Sequence, residues 1–246
     1  MNTNIKNSKT ELYARKEMIN FFNNSPIPQN EKLENLEVFL RPQRVFEIVT
    51  LYELYKQIIE LPGVVMEFGV RWGRHLALFN SFRAFFEPYN FYRKIIGFDT
   101  FEGFKNSSNI DGNSDRVYDG AMSVSKGYEN FLSSLMKIHE LETPMSHISK
   151  IELHKGNAPE TLKKYLKNNP QTIISLAYFD MDIYKPTKEC LEIIKPYLVK
   201  GSIIAFDELT HPQFPGETIA LKETMNLLNY KVKKISNTPY PVYITI

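Results

Sequence analysis

Six acidic residues stand at the ends of apolar runs: Glu67, Asp99, Asp180, Asp182, Asp207 and Glu208. Phe179-Asp-Met-Asp-Ile-Tyr184 and Phe206-Asp-Glu208 would bring three or four of these carboxylates into one place if the two runs are neighbouring strands, whose ends lie only about 5 Å apart. Like charges that close raise one another's pKa or require a cation, and a ligand set of oxygens alone suits a hard ion such as magnesium or calcium. Such an ion would chelate two adjacent hydroxyls of a substrate, lower the pKa of one and fix it in line with an electrophile. That is the chemistry of alkylating an alcohol. Lys185, three residues past Asp182, could take up the proton, or it could be a solvated surface charge. The competing reading of the carboxylates is that Asp180 and Asp207 cap the following helices while Asp182 and Glu208 face water.

The stretch Val64–Gly73, Val-Val-Met-Glu-Phe-Gly-Val-Arg-Trp-Gly, suggests a second half-site. A strand ending in Glu67-Phe-Gly69, then Gly73 and a helical pattern from His75, lets backbone approach a ligand and leaves N–H groups facing it. Asp99 ends the next apolar run, where a carboxylate can accept hydrogen bonds from both hydroxyls of a ribose. Together they suggest an adenosine-type ligand. Gly156-Asn157 follows the third run at the same edge, and Asn157 suits either a base edge or the cap of a helix beginning near Pro159. Packing explains the same residues without a ligand: close strand-to-helix contact for Gly69 and Gly73, a cap or turn for Asp99, and a place under the first helix for Trp72. The histidines at 75, 139, 147, 154 and 211 are bases by type, but none has a spacing that singles it out.

These residues need a scaffold that collects strand ends. After Pro62-Gly63, strand-like runs at Val64–Phe68, Lys94–Phe98, Ile151–His154, Ile173–Phe179 and Ser202–Phe206 alternate with helical patterns near His75–Phe86, Glu129–Leu141, Glu160–Leu166 and Thr187–Lys195. Alternation of that kind predicts parallel strands, right-handed crossovers and a sheet covered on both faces. A helix near Thr218–Leu228, then Lys231–Ser236, a turn through Asn237-Thr-Pro239 and Val242–Ile246 predict a closing hairpin with an antiparallel strand. That strand sets the layout apart from a dinucleotide-binding domain. Before Gly63 the pattern is helical from Glu11 to Glu60, divided by Pro26, Pro28 and Pro42. Between Gly103 and Gly127 a long polar stretch reads as a lid over the crevice, with Tyr118, Met122 and Tyr128 placed to close on a substrate.

Composition narrows the function classes. At 246 residues, with 43% hydrophobic residues, the chain can bury a full core. A formal charge of +2 gives no reason to expect nucleic acid or a membrane surface as partner. Cys190 is the only cysteine, so no intrachain disulfide forms, and a reducing compartment is the natural reading. Met1–Asn7 lacks an apolar signal core and no run approaches the length of a membrane span, so a cytoplasmic protein is expected.

Five ordered motifs carry a family resemblance: Glu67-Phe-Gly-Val-x-x-Gly73, Gly97-Phe-Asp-Thr-Phe-Glu-Gly-Phe104, Lys155-Gly-Asn-Ala-Pro-Glu-Thr161, Phe179-Asp-Met-Asp-Ile-Tyr-Lys-Pro-Thr187 and Phe206-Asp-Glu-Leu209. Over roughly Phe39 to Glu223 the chain resembles the macrocin O-methyltransferase family of class I S-adenosylmethionine-dependent enzymes. The resemblance implies a Rossmann-like, doubly wound, seven-stranded sheet with an antiparallel last strand over residues 63–246, behind a helical segment of residues 1–62. It implies S-adenosylmethionine as methyl donor and magnesium-dependent methylation of a sugar hydroxyl. Glu67, Gly69 and Gly73 would surround the methionine and ribose part, Asp99 would hold the ribose hydroxyls, and Asp182, Asp207 and Glu208 match the metal-holding positions. Asp180 would face the cofactor or brace the turn. Glu208 stands where aspartate is common in the family, and Asp182-x-x-Lys185 also resembles catechol O-methyltransferases, in which such a lysine is the base.

The expectation is therefore a cytoplasmic, metal-assisted O-methyltransferase for a sugar or nucleotide-sugar acceptor, with Asp182 as ligand and proton acceptor and Lys185 as a lesser candidate. Its rivals are a methyltransferase for a catechol-like metabolite, a nicotinamide-dependent oxidoreductase, and a non-catalytic module that kept the fold. Buried carboxylates without a ligand are costly, which argues against the last. Self-association through the helical prefix, as a homodimer or higher homo-oligomer, is one expected use for that segment.

Overall fold

A computed structural model describes residues 8–235 and 240–246. The Met1–Asn7 segment and the turn expected at Asn237–Pro239 lie outside the described residues. Two compact units emerge, Met1–Val49 and Thr50–Ile246. The boundary between them falls inside the helix α3 (Pro42–Lys56), whose second half buries Thr50, Leu51, Leu54 and Tyr55. The first unit also holds α1 (Lys9–Asn23), α2 (Gln29–Lys32) and a 3-10 turn at Leu36–Phe39. Ser8 and Glu11 close a reciprocal capping box on α1.

The second unit carries one sheet of seven strands: β1 (Val64–Phe68), β2 (Ile95–Asp99), β3 (Ile151–Lys155), β4 (Ile174–Phe179), β5 (Leu198–Phe206), β6 (Val232–Lys234) and β7 (Val242–Thr245). Their order is β3-β2-β1-β4-β5-β7-β6. Strands β1 to β5 pair in parallel, and β7 runs antiparallel to both of its neighbours. The alternation read from the sequence is thus the observed fold. Helices α4 (Arg74–Phe86), α5 (Tyr128–Leu141), α6 (Ala158–Asn168), α7 (Tyr184–Ile194) and α8 (Gly216–Thr224) complete it. The last ends earlier than expected: Met225 turns extended, and only a 3-10 turn at Leu227–Asn229 follows. Among the described residues no helix is long and apolar enough to cross a membrane.

A ladder of rings fixes the strand register. Phe68 pairs with Phe98 and Phe179, and Phe179 with Phe206. Their rings stack at 5.2, 4.7 and 5.1 Å, and His154 stacks on Phe98 at 5.1 Å. The four phenylalanines are fully buried in the core shared with α6, α7 and α8, each stabilising by roughly 1.5–3 kcal/mol. Successive side chains alternate between the faces of a sheet. The residue after each of these phenylalanines, Gly69, Asp99, Asp180 or Asp207, is therefore delivered to one edge in register. Between β1 and β4 the strand order reverses, which opens the crevice of a doubly wound sheet.

Candidate active site

The glycine turn is built by packing. Gly69 has φ +93°, and a β-carbon there would lie 1.9 Å from the Asp180 carbonyl oxygen. Gly73, at φ +79°, opens α4 where a β-carbon would meet Leu132 at 2.4 Å. Asp99 braces the same turn: its Oδ2 accepts from the amides of Val70 and Arg71, both at 2.7 Å, and its Oδ1 from Phe101 at 2.5 Å. The turn role weighed for Asp99 is thus occupied: Oδ2 already accepts two bonds, while Oδ1, with one, retains a lone pair for a further donor. Gly156 donates its amide to the Asp99 carbonyl. Asn157 precedes α6 without a side-chain cap and donates to Glu160 Oε1 at 3.2 Å. Trp72 is not packed beneath a helix. It is 45% exposed and meets Tyr128 edge-on at 4.7 Å, with the Tyr128 hydroxyl donating to its carbonyl.

Glu67 is fully buried, and neither carboxylate oxygen has a hydrogen-bond partner. Burial raises its pKa, and His75 works the other way. His75 Nδ1 lies 3.5 Å from both Glu67 Oε1 and Asp180 Oδ2, so a buried imidazole joins the two strand ends. Its ring packs against Tyr178, whose hydroxyl donates to Asp207 Oδ1 at 3.1 Å. No spacing in the sequence distinguished this histidine; its neighbours become apparent only once β1 and β4 lie side by side.

The charges of Asp180, Asp182, Asp207 and Glu208 act on one another. Burial, then the Asp207 charge, raises the pKa of Asp180. The same two causes push Asp182 up to about 7, with Arg71 opposing. Glu208 is pushed up to about 8 by burial, then by Asp207 and Asp182, with Arg116 opposing. Asp182 sits at φ 62°, a conformation that non-glycine residues rarely hold outside constrained turns. Glu208 Oε2 is buried without a hydrogen-bond partner. As the side chains stand, no three acidic, histidine or cysteine groups among the described residues form a closed ligand set. The donor chemistry nonetheless fits a hard cation: crowded carboxylate oxygens, one of them unpartnered, offset by His75 at Asp180 and by Arg71 and Arg116 at Asp182 and Glu208. Lys185 is not brought to this cluster. It is exposed in the first turn of α7 and absent from the charges acting on Asp182.

Two acids that sequence reasoning missed tie the site together. Glu217, fully buried at the start of α8, accepts from the amides of Met181, Asp182 and Glu208. Asp111, buried within the 103–127 stretch, accepts from the Tyr184 amide at 2.5 Å and the Ser108 amide at 2.7 Å. That stretch is therefore anchored to the start of α7, and further stitched by Ser107 to Asp119 and Phe104 to Ala121. Of the residues expected to close on a substrate, Met122 packs beside Phe104 and Ile183, and Tyr118 stays 59% exposed. Neither acid stands in a chemical motif, and burial was their only available signal. Beside Glu208, His211 Nε2 stands at 3.8 Å, and the His211 ring faces Phe214 and Tyr240.

No family model and no curated protein matches the chain. Among solved structures, CalS11, described as a calicheamicin methyltransferase, is 41% identical over 98% of this chain and 94% of its own, with a TM-score of 0.95. Its apo structure, described as that of a TDP-rhamnose 3'-O-methyltransferase of calicheamicin biosynthesis, is 39% identical over 98% and 96%, with a TM-score of 0.86. The O-methyltransferase NovP, at 16% identity over 81% and 78% and a TM-score of 0.59, shares the fold.

Proposed function

Because this chain belongs to the class I S-adenosylmethionine-dependent O-methyltransferases, we propose that its acceptor is a sugar hydroxyl, on a nucleotide sugar or a glycosylated metabolite, with a divalent cation assisting transfer. We place it, more finely, with the macrocin-type enzymes its motifs resemble. The observation that carries the sugar is the 39% identity, across nearly the whole chain, to an enzyme described as acting on TDP-rhamnose. The crowded carboxylates support the cation.

In this reading Glu67, Gly69, Gly73, Asp99, Gly156 and Asn157 hold the cofactor, with Asp180 at its edge. Asp99 does so while fixing the turn amides. S-adenosylmethionine, when bound, supplies a methyl already activated by its sulfonium, so catalysis is chiefly a matter of placing the acceptor oxygen in line. Asp182, Asp207 and Glu208 would hold the cation, which when bound lowers the pKa of a coordinated hydroxyl. A carboxylate oxygen of Asp182 takes up the proton that the acceptor hydroxyl releases. Tyr178 orients Asp207 through its hydroxyl. Lys185, exposed and distant in charge, is given no part.

The test is methyl transfer from S-adenosylmethionine to nucleotide sugars, TDP-rhamnose among them, set against catechols, with the product identified by mass. Methylation of catechols alone would overturn the sugar assignment. Activity undiminished by a chelator would remove the cation.

A cytoplasmic setting and a self-associating prefix are part of the same proposal. No residue from Ser8 to Val49 is buried, and Leu12, Tyr13, Ile19, Phe21, Leu33 and Val38 are each more than half exposed. Acidic and basic residues balance in this segment, which suits a second copy of itself. Light scattering should show an oligomer that Ile19→Asp weakens; a monomeric parent protein would refute it.

A further inference from the structure

Glu217 has no part in the chemistry just described, yet its side chain accepts from backbone amides in both the Asp182 and the Glu208 turn. It sits in the first turn of α8 and is fully buried. Its Oε1 accepts from the Met181 amide at 3.2 Å and the Asp182 amide at 3.3 Å, in the turn after β4. Its Oε2 accepts from the Glu208 amide at 3.4 Å, in the turn after β5. An acidic residue in the first turn of a helix is ordinarily explained by the helix dipole, with its carboxylate in solvent. Here the carboxylate is buried, burial raises its pKa, the nearby charges of Asp182, Asp180 and Asp207 raise it further, and the hydrogen bond from the Met181 amide opposes them. A carboxyl group kept in such a place needs those three amides as donors.

The neighbouring residue shows that this approach is built. A β-carbon on Gly216 would lie 2.6 Å from the Tyr184 nitrogen, 2.7 Å from Asp111 Oδ1 and 2.9 Å from the Asp182 carbonyl oxygen. Only a residue without a side chain lets α8 begin close enough for Glu217 to reach the Asp182 turn. Thr218 adds a second tie, its hydroxyl accepting from the Thr210 amide at 2.8 Å.

We infer that Glu217 is a positioning residue, whose single carboxyl group clamps the Asp182 turn to the Glu208 turn and so sets the spacing of the acceptor half of the site. The inference rests on the proposed function only in assigning Asp182 and Glu208 to that half. Among the described residues no hydrogen bond joins Glu217 to the glycine turn or to Asp99; its bonds run to the two acceptor turns.

The experiment compares the parent protein with Glu217→Gln and Glu217→Asp. Backbone hydrogen exchange, read in cation-free protein, should rise about tenfold or more at Met181, Asp182 and Glu208 in Glu217→Gln, and stay unchanged at residues 69–73. Acceptor turnover should fall about 10–100-fold, the range found when groups that orient reacting residues are removed. Affinity for S-adenosylhomocysteine, by calorimetry, should stay within about twofold. Glu217→Asp keeps the carboxyl group on a shorter arm and should recover part of both the protection and the turnover. Unchanged exchange in the two turns would overturn the inference. So would loosening of the whole chain with cofactor affinity falling in step, which marks a merely structural acid. If the parent protein methylates no sugar, the proposed acceptor fails, while exchange in the two turns still decides Glu217.

Discussion

Withdrawing divalent cations should make stability fall as pH rises, the reverse of acid denaturation. In the folded chain Asp182 stands at about 7 and Glu208 at about 8. In an unfolded chain both titrate near about 4. A carboxyl whose folded pKa is raised contributes stability that is complete below its unfolded pKa and is lost as pH climbs through the folded one. The window therefore runs from about pH 4 to about pH 8. Asp207 raises both and Asp182 raises Glu208, so we count one proton for the pair: roughly 1.4 kcal/mol per pH, or about 3 kcal/mol from about pH 5 to pH 7. In a chain of this length that is a fall of about 10 °C in Tm. A saturating cation that binds only the folded chain keeps the carboxylates charged and abolishes the slope. The assay is thermal unfolding across that window in chelator and in excess manganese. A Tm in chelator that is level or rises would refute the joint burial of the carboxylates. A slope that manganese leaves untouched would refute the cation.

Four further outcomes follow from the geometry. Asp182→Ala should lower kcat by about 100-fold or more, the usual contribution of a positioned base, while S-adenosylhomocysteine still binds in calorimetry. Gly69→Ala should destabilise by about 3 kcal/mol or more in urea unfolding, because its β-carbon would fall 1.9 Å from the Asp180 carbonyl oxygen at a positive φ. Asp99→Ala leaves three backbone amides without their acceptor and should cost about 2–3 kcal/mol in urea unfolding. It should also weaken S-adenosylhomocysteine binding, which calorimetry reads directly. Lys185→Ala, at an exposed position outside the carboxylate cluster, should leave turnover within about twofold in the same assay.

The sequence by itself determined the strand and helix order, the antiparallel close of the sheet and the edge on which Glu67, Asp99, Asp180, Asp182, Asp207 and Glu208 meet. Hydrophobic periodicity is local, and parallel crossovers put every strand's carboxyl end on the same side, so a strand-ending acid announces its place. The tertiary structure alone decided what those ends touch. Gly69 is a glycine because the Asp180 backbone lies against it, and Asp99 is consumed by amides of a turn 28 and 29 residues away. Trp72 stands beside Tyr128 instead of under a helix, and Lys185 turns to solvent. His75, Asp111 and Glu217 matter through partners brought together by folding, 73 residues apart for Asp111 and Tyr184 and farther still for His75 and Asp180. Burial and cross-strand distance set their roles, and neither is a property of any short stretch of chain.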